Sequence, residues 1–271
     1  MSRELNGKEL AGFIKQRQAR QVRRLRQADK IVPKLLIITA KHTSAAIDTY
    51  VRLKCVYAAD ILIDTEVIAC SEADMPSIIA EANVDESIHG IIVQLPLEDV
   101  SKTDTIVAGI APQKDVDGLG GERASFVSAT AEAIDWLLSG YNVVLDGKKI
   151  AIIGRGRLVG APLERLWHSR GLDVTTCDEH STNTQEVIKR SDVIVTATGR
   201  PHLIVSDMVK DKAVIVDAGT ASEDGVLVGD VDDSVRERSD VTMTPDKGGV
   251  GPLTIAVMID HVIQAAELSK Q

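Results

Sequence analysis

The sequence has 271 residues, of which 44% are hydrophobic, 26% are charged and only 3% are aromatic. This length most naturally holds two domains, and the scarcity of aromatic residues predicts an aliphatic core, as in parallel α/β sheets. With 31 basic and 40 acidic residues the net charge is −9, which excludes a general electrostatic attraction to nucleic acid.

Targeting signals and cysteine spacing narrow the class of protein further. The stretch MSRELNGKELAGFIK lacks the apolar core of a signal peptide, and no apolar run reaches the roughly 18 residues needed to span a bilayer. We therefore expect a cytoplasmic protein that binds neither membranes nor nucleic acid. Cys55, Cys70 and Cys177 form no C-x-x-C pair and the histidines are scattered, which argues against a disulfide framework or a metal site.

Helices and strands alternate in the first half of the chain. The hydrophobic pattern predicts helices over 6–27, 47–59 and 75–84, and strands over 34–40, 65–69 and 90–97. The turn-rich loop QKDVDGLG follows the last of these strands. We place the seam between two domains near residues 118–125.

The second half repeats this alternation around a glycine-rich turn. The pattern predicts helices over 129–140, 184–190 and 251–270, and strands over 150–153, 173–177, 191–199, 213–220 and 240–246. Strands that alternate with helices of this length predict right-handed βαβ units and parallel sheets.

The turn in IAIIGRGRLVGAP carries Gly154, Gly156 and Gly160, with a predicted strand before it and a helix after it. In a dinucleotide site the first glycine makes the tight turn, and the second lets the backbone approach phosphates at the positive end of the helix. The context predicts such a site, and the alternative is a tight structural turn.

The choice between NAD and NADP stays open at the level of sequence. Asp178 and Glu179 follow the next strand, where an acid typically bonds the adenine ribose 2′-hydroxyl and favours NAD. Arg155 and Arg157 favour NADP instead, since a guanidinium group matches the 2′-phosphate. Asp178 has the equally simple alternative of a solvated loop acid.

Polar residues in the first half are candidates for chemistry. Lys54 falls on the apolar side of the helix over 47–59, and Gln94 follows an apolar strand, at the end where parallel sheets bind ligands. Asp115 and Asp117 lie in the turn-rich loop. Each has a structural alternative: a lysine that extends its amine to water, a glutamine that bonds loop backbone, and acids that brace a turn.

Taken in order, the motifs TYVRLK, GIIVQLPL, KDVDG, GRGRLVGAP and GGVGPLT resemble those of the bifunctional methylenetetrahydrofolate dehydrogenase/cyclohydrolase family. The resemblance extends from LNGKELA to the last helix. It implies two parallel-sheet α/β domains with an active-site cleft between them, the second domain being a Rossmann-like dinucleotide-binding domain. We expect a folate-binding catalytic domain over 1–122 plus 250–271, and an NAD(P)-binding domain over 123–249.

This resemblance also implies an activity in one-carbon metabolism and purine biosynthesis. Family members oxidise 5,10-methylenetetrahydrofolate to the 5,10-methenyl form with NAD or NADP, and NADP is the cofactor that the family suggests. They then hydrolyse the methenyl form to 10-formyltetrahydrofolate, and they are homodimers. A lysine in a partly apolar pocket beside the methenyl cation would have a lowered pKa and could move protons.

Roles carry over from the family to matching positions. Lys54 would be the lysine of the cyclohydrolase step with Gln94 bonded to it, Tyr50 would stack on the folate, and Asp117 would anchor the pterin amino edge. The implied folate contacts are Tyr50, Lys54, Val93, Gln94, Leu95, Asp117, Gly249, Val250, Gly251 and Pro252. The implied cofactor contacts are Gly154, Arg155, Gly156, Asp178, Glu179 and Thr220.

The sequence departs from the family pattern at four places. Ile47 replaces a serine, the stretch over 128–133 keeps only Thr130 of its motif, Asp246 and Lys247 replace V-P before the paired glycines, and GTA replaces G-I-N at 219–221. These departures leave two alternatives: a dehydrogenase without cyclohydrolase activity, or a non-catalytic homologue that binds folate or nucleotide.

Overall fold

The computed structural model describes residues 3–223 and 226–270. Its helices are α1 Gly7–Arg24, α2 Ala45–Asp60, α3 Met75–Val84, α4 Thr103–Val107, α5 Ala129–Gly140, α6 Gly160–Ser169, α7 Thr184–Arg190, α8 Asp233–Arg236 and α9 Val250–Leu268. Its strands are β1 Arg3–Glu4, β2 Lys34–Ala40, β3 Asp64–Cys70, β4 Gly90–Val93, β5 Lys149–Ile153, β6 Asp173–Cys177, β7 Val193–Thr196, β8 Val214–Asp217, β9 Ala221–Glu223, β10 Val226–Val228 and β11 Thr242–Met243.

The chain forms two compact units, each with a parallel sheet. The three-stranded unit comprises Gly12–Ala129 and Ile255–Gln271, and the six-stranded unit comprises Met1–Ala11 and Thr130–Thr254. The prediction of two parallel-sheet α/β domains is confirmed. No helix in the described ranges is both long enough and apolar enough to cross a membrane.

In the three-stranded unit, β2 lies between β3 and β4 and pairs in parallel with both. Every residue of β2 after Lys34 is buried. A strand covered on both faces needs the unbroken apolar run that the sequence LLIITA supplies. Leu36 and Ile38 of β2 join Ile91 and Val93 of β4 in one aliphatic core.

The predicted strand over 90–97 is shorter in the structure, because β4 ends at Val93. Gln94 N–H still donates to the carbonyl of Ile38 (2.8 Å). Pro96 has no N–H to continue the ladder. This ending places Gln94 at the carboxyl edge of the sheet.

The sheet of the six-stranded unit has the order β1-β11-β8-β7-β5-β6, and its neighbouring strands are parallel. Read from the other edge and numbered from β5 as the first strand, β6-β5-β7-β8-β11 has the doubly wound order 2-1-3-4-5. The strand β1 is added at the edge beside β11. In such a sheet the strand order reverses between β5 and β7, and ligands bind beside the carboxyl ends at that point. The glycine-rich turn follows β5 directly.

The unit boundaries differ from the predicted domains, which put residues 1–122 and 250–271 together. The short strand β1 pairs with β11, and Leu5 N–H donates to the carbonyl of Met243 (2.8 Å). These bonds place the first eleven residues in the six-stranded unit. The other boundaries lie at Thr130 and Thr254 rather than at 123 and 249.

Candidate active site

Lys54 lies on α2 and is only 9% exposed. The helix begins after Ser44, whose side chain accepts a hydrogen bond from the N–H of Ile47 and so caps the first turn. Lys54 Nζ donates to Gln94 Oε1 (2.8 Å). Gln94 Nε2 donates in turn to the carbonyl of Leu95 (2.9 Å), which holds the amide with its oxygen toward the lysine. The amine is thus buried rather than extended to water.

Burial lowers the pKa of Lys54 from its ordinary value, because the charged ammonium loses its hydration. The negative charge of Asp117 opposes this effect, with a smaller contribution from Cys55. The net direction is downward. A lysine in this state has a larger neutral fraction near neutral pH and can accept a proton.

The two acids of the loop after β4 differ in what they do. Asp115 is 2% exposed and accepts hydrogen bonds from the backbone N–H groups of Gly118 (3.1 Å), Leu119 (3.3 Å) and Gly120 (2.7 Å). Burial raises the pKa of Asp115 despite these bonds. Asp115 therefore braces the turn, while the half-buried Asp117 acts on Lys54 by its charge.

The backbone around Asp117 is held on both sides. Its carbonyl accepts from the N–H of Ala129 (3.1 Å), and the carbonyl of Val116 lies 2.8 Å from His261 Nδ1 of α9. The ring of His261 is buried and stacks on Phe126, with 4.6 Å between the ring centroids. His261 was not predicted as a site residue, and its one signal in the sequence is a histidine within the apolar run of the last helix.

The other folate contacts predicted in the three-stranded unit lie on α2 and at the end of β4, the two segments that carry Lys54 and Gln94. Tyr50 is half-buried on α2, one turn before Lys54, and Ile47 is half-buried one turn earlier. Val93 is buried at the end of β4, and Leu95 is half-buried just beyond it. Helix α2 and the end of β4 thus bring the polar pair next to apolar and aromatic side chains.

The three glycines after β5 differ in what a side chain at each position would meet. Gly154 has a φ of +98°, and a Cβ there would lie 2.6 Å from the carbonyl oxygen of Ala197. A Cβ on Gly160 would overlap the carbonyl oxygen of Gly154. Around Gly156, in contrast, no heavy atom of the described residues beyond its two chain neighbours lies within 4 Å of the Cβ position. The turn itself requires Gly154 and Gly160, whereas Gly156 leaves room for a ligand to approach the backbone.

Charged residues flank this turn. Asp178 follows β6 and accepts from the N–H of His180 (3.0 Å) and from Ser181 Oγ (2.9 Å). The hydrogen bond from Ser181, followed by that from His180, holds the pKa of Asp178 below its usual range. Arg155 Nε donates to Glu164 Oε2 (2.8 Å), so this arginine is already paired with an acid. Glu179 is exposed.

A buried acid orders the loop after β7. Asp230 Oδ2 accepts from Thr196 Oγ1 (2.6 Å) and from the N–H (2.7 Å) and Oγ1 (2.9 Å) of Thr198. Asp230 was not predicted as a site residue, because its bonds reach more than thirty residues back along the chain.

The turn after β8 is ordered in a similar way. Asp217 Oδ1 accepts from the N–H of Gly219 (3.0 Å), and the exposed Thr220 follows. Burial raises the pKa of Asp217. This turn carries the predicted cofactor contact Thr220.

The loop before α9 packs on the start of the chain. Lys8 N–H donates to the carbonyl of Gly248 (2.9 Å), and a Cβ on Gly7 would overlap the carbonyl oxygen of Gly249. The close packing of this loop therefore requires a glycine at position 7. The remaining predicted loop residues, Val250, Gly251 and Pro252, form the first turn of α9.

Two family models match the chain and together cover most of it. The catalytic domain of tetrahydrofolate dehydrogenase/cyclohydrolase matches residues 5–117, and the NAD(P)-binding domain of the same family matches residues 128–270. The chain belongs to the tetrahydrofolate dehydrogenase/cyclohydrolase family. The predicted family is confirmed, and the predicted Rossmann-like domain corresponds to the NAD(P)-binding part of the tetrahydrofolate dehydrogenase/cyclohydrolase pattern.

Relatives within the tetrahydrofolate dehydrogenase/cyclohydrolase family match over nearly their whole length. A bifunctional protein FolD from Lactobacillus helveticus is 37% identical over 277 residues, which is 97% of each chain. The bifunctional FolD structure from Campylobacter jejuni superposes with a TM-score of 0.92 at 31% identity, covering 99% of both chains. The Trypanosoma brucei enzyme, complexed with NADP cofactor and inhibitor, has a TM-score of 0.90 at 27% identity and covers 99% of this chain and 98% of its own.

Proposed function

We propose that this protein oxidises 5,10-methylenetetrahydrofolate with NAD(P)+ and hydrolyses the resulting 5,10-methenyltetrahydrofolate to 10-formyltetrahydrofolate. The observation that carries the proposal is the buried Lys54 amine, bonded to Gln94 and facing the charge of Asp117. A protein that only bound folate would gain little from a lysine whose burial opposes its charge.

In the oxidation step, NAD(P)+ supplies the hydride acceptor when it is bound. The protein's part is to position the methylene carbon, because hydride transfer needs close approach in the right orientation. Tyr50 packs against the folate ring system and Asp117 bonds the pterin amino edge. The open space at Gly156 fits a pyrophosphate close to the backbone at the N-terminus of α6.

In the hydrolysis step, water adds to the carbon of the methenyl cation. Lys54 Nζ in its neutral form accepts one proton of this water, which leaves a hydroxyl group on the carbon. The hydroxyl then loses its proton as the C=O bond forms and the carbon–N5 bond breaks, and N5 gains a proton. One proton is released overall, and the product is the 10-formyl form. Gln94 holds Nζ in place through their 2.8 Å hydrogen bond, so the amine meets the water in a fixed direction.

For the cofactor, we propose that NAD is used in preference to NADP. Asp178 follows β6, and its lowered pKa keeps the carboxylate charged, so it would repel a 2′-phosphate. Arg155 is paired with Glu164, so its guanidinium is less available to bind that phosphate. The NADP bound in the Trypanosoma brucei relative is the cofactor of that protein.

A steady-state assay with methylenetetrahydrofolate and each cofactor in turn tests these proposals. We expect reduction of both cofactors with a higher kcat/KM for NAD, and hydrolysis of methenyltetrahydrofolate without any cofactor. Purified, folded protein with neither activity would overturn the proposed function. Dehydrogenation without hydrolysis would leave a dehydrogenase only, and a strong NADP preference would mean that Asp178 does not face the ribose.

Two expectations from the sequence stay predictions: a homodimer and a cytoplasmic location. The homodimer is tested by light scattering on the eluted protein, where a mass near twice the 29.1 kDa of one chain is expected. A mass of one chain at micromolar concentration would rule it out.

A further inference from the structure

Arg236, in the last turn of α8, lies between two carboxylates from separate segments. Its Nη2 donates to Asp217 Oδ2 at 3.0 Å, and its Nη1 lies 2.7 Å from Asp246 Oδ1. Nη1 also donates to the carbonyl of Thr244 at 3.4 Å. The Arg236 side chain is only 17% exposed, so the guanidinium is largely enclosed by these partners.

The first carboxylate belongs to the turn after β8. The side chain of Asp217 is 4% exposed, and besides Gly219 it accepts from the backbone N–H groups of Asp230 (3.1 Å) and Val231 (3.0 Å). Its own N–H donates to Thr244 Oγ1 (2.9 Å), at the start of the loop before α9. Asp217 is therefore a fixed point to which Arg236 is anchored.

The second carboxylate belongs to the loop itself. Asp246 is 72% exposed and stands where the family pattern has an apolar residue. The far end of the loop is held by the hydrogen bond from Lys8 N–H to the carbonyl of Gly248. Between Thr244 and Gly248, the side chain of Asp246 attaches the loop to Arg236. A guanidinium can bridge two carboxylates because its donors form a rigid planar fork, which a lysine ammonium lacks.

We propose that Arg236 and Asp246 are positioning residues of this enzyme, which hold the loop over 245–249 in register with the turn over 218–220. The proposal rests on the proposed function and on the contacts that the family resemblance implies, namely Gly249 and the residues after it with folate and Thr220 with the cofactor. Neither Arg236 nor Asp246 touches the reacting atoms. They act by limiting the positions that the paired glycines can take before substrate binds.

The size of the effect follows from the exposure of Asp246. Ion pairs with one exposed partner contribute little, and salt screens them further. We therefore expect a change in KM of about two- to fivefold, rather than a loss of activity, when the pair is broken.

The test compares Asp246→Asn with a matched control, Asp211→Asn. Asp211 is 93% exposed and pairs at 3.2 Å with Arg238, which is 17% exposed like Arg236, but neither residue lies in the loop or the turn. We expect Asp246→Asn to raise KM for methylenetetrahydrofolate by about two- to fivefold with kcat within about twofold. We expect Asp211→Asn to match wild type, and Asp246→Glu to recover part of the loss.

The dependence of KM on salt distinguishes a positioning ion pair from a purely structural role. From about 0.05 M to about 0.5 M NaCl, the ratio of KM between Asp246→Asn and wild type is expected to fall toward one, since screening removes the ion pair from wild type as well. An active wild type whose KM is unchanged by Asp246→Asn at low salt would overturn the inference. An inactive wild type would instead overturn the proposed function.

Discussion

The candidate folate residues of one unit and the candidate cofactor residues of the other differ in how far their charges are exposed to water. In the three-stranded unit, Lys54 is buried, and burial lowers its pKa against the opposing charge of Asp117. In the six-stranded unit, Asp178 and Glu179 are half-buried or exposed, and Arg155 is paired with Glu164. The interaction energy between two charges is larger in a buried site than at the surface, where water screens them. We therefore expect substitutions in the first region to change rates by orders of magnitude, and those in the second to change cofactor preference by modest factors.

The largest effect is expected from Lys54→Met, which keeps an unbranched side chain in the buried position but removes the amine. Hydrolysis of methenyltetrahydrofolate is expected to fall by about 10²- to 10⁴-fold, the range that one positioned proton-transfer group contributes. Dehydrogenation needs mainly positioning, so its kcat is expected to fall far less.

The matched control for this change is Arg52→Ala, which removes an exposed cation from the same helix. It is expected to leave both activities unchanged. Hydrolysis in Lys54→Met that stayed within about tenfold of wild type would remove the proton-transfer role from this lysine.

The next effect separates the glycines of the cofactor turn. Gly156→Ala is expected to preserve the melting temperature but raise KM for the nicotinamide cofactor by about tenfold, because the methyl group would enter the space for the phosphates. Gly160→Ala is expected to destabilise the fold by about 3 kcal/mol, since its Cβ meets the Gly154 carbonyl. Equal melting temperatures and equal KM values for both variants would show that the turn does not bind phosphates.

A smaller effect concerns cofactor preference. Asp178→Ser removes the charge while keeping a hydroxyl, and we expect kcat/KM for NADP relative to NAD to rise by about tenfold. Asp173→Ser, at the opposite end of β6, is the control and is expected to leave the ratio unchanged. A ratio that did not respond to Asp178→Ser would place this acid away from the ribose.

The smallest effect is a shift in pH dependence. Hydrolysis is expected to rise with pH as Lys54 loses its proton, at a pH below the ordinary pKa of lysine because of burial. Asp117 raises the pKa of Lys54, so Asp117→Asn is expected to lower this pKa further and to move the rising limb to lower pH. The measurement is kcat against pH at saturating folate, and a limb that moved to higher pH would contradict the assigned interaction.

Strongly patterned elements could be predicted from sequence. The structure gives α3, α5, α7 and β2 the predicted bounds, because an apolar periodicity and its flanking residues define each of them. The predicted strand over 240–246 is wrong in length, since β11 spans only Thr242–Met243 before the loop that packs on Lys8 and Gly7. The hairpin of β9 and β10 was not predicted.

Within the candidate site, local motifs identify Tyr50, Lys54, Gln94 and Asp117 as candidates, and the structure joins Lys54 to Gln94 by a hydrogen bond. The residues that hold those positions could not be predicted, because their contacts join distant parts of the chain. His261 meets Val116 across 145 positions, and Asp230 meets Thr196 across 34. A single sequence carries no periodic signal for such pairs, which depend on how the strands are ordered in the sheet.

The pairing of β1 with β11 has a consequence for how the chain is made. The six-stranded sheet is completed at one edge by residues 3–4, which must wait for residues 242–243 to leave the ribosome. The three-stranded unit waits as well, because Gln18 donates to the carbonyl of Ala256 and His261 contacts Val116. Each unit therefore reaches its final form only after these late residues have emerged, and we expect its closing contacts to be among the last to form.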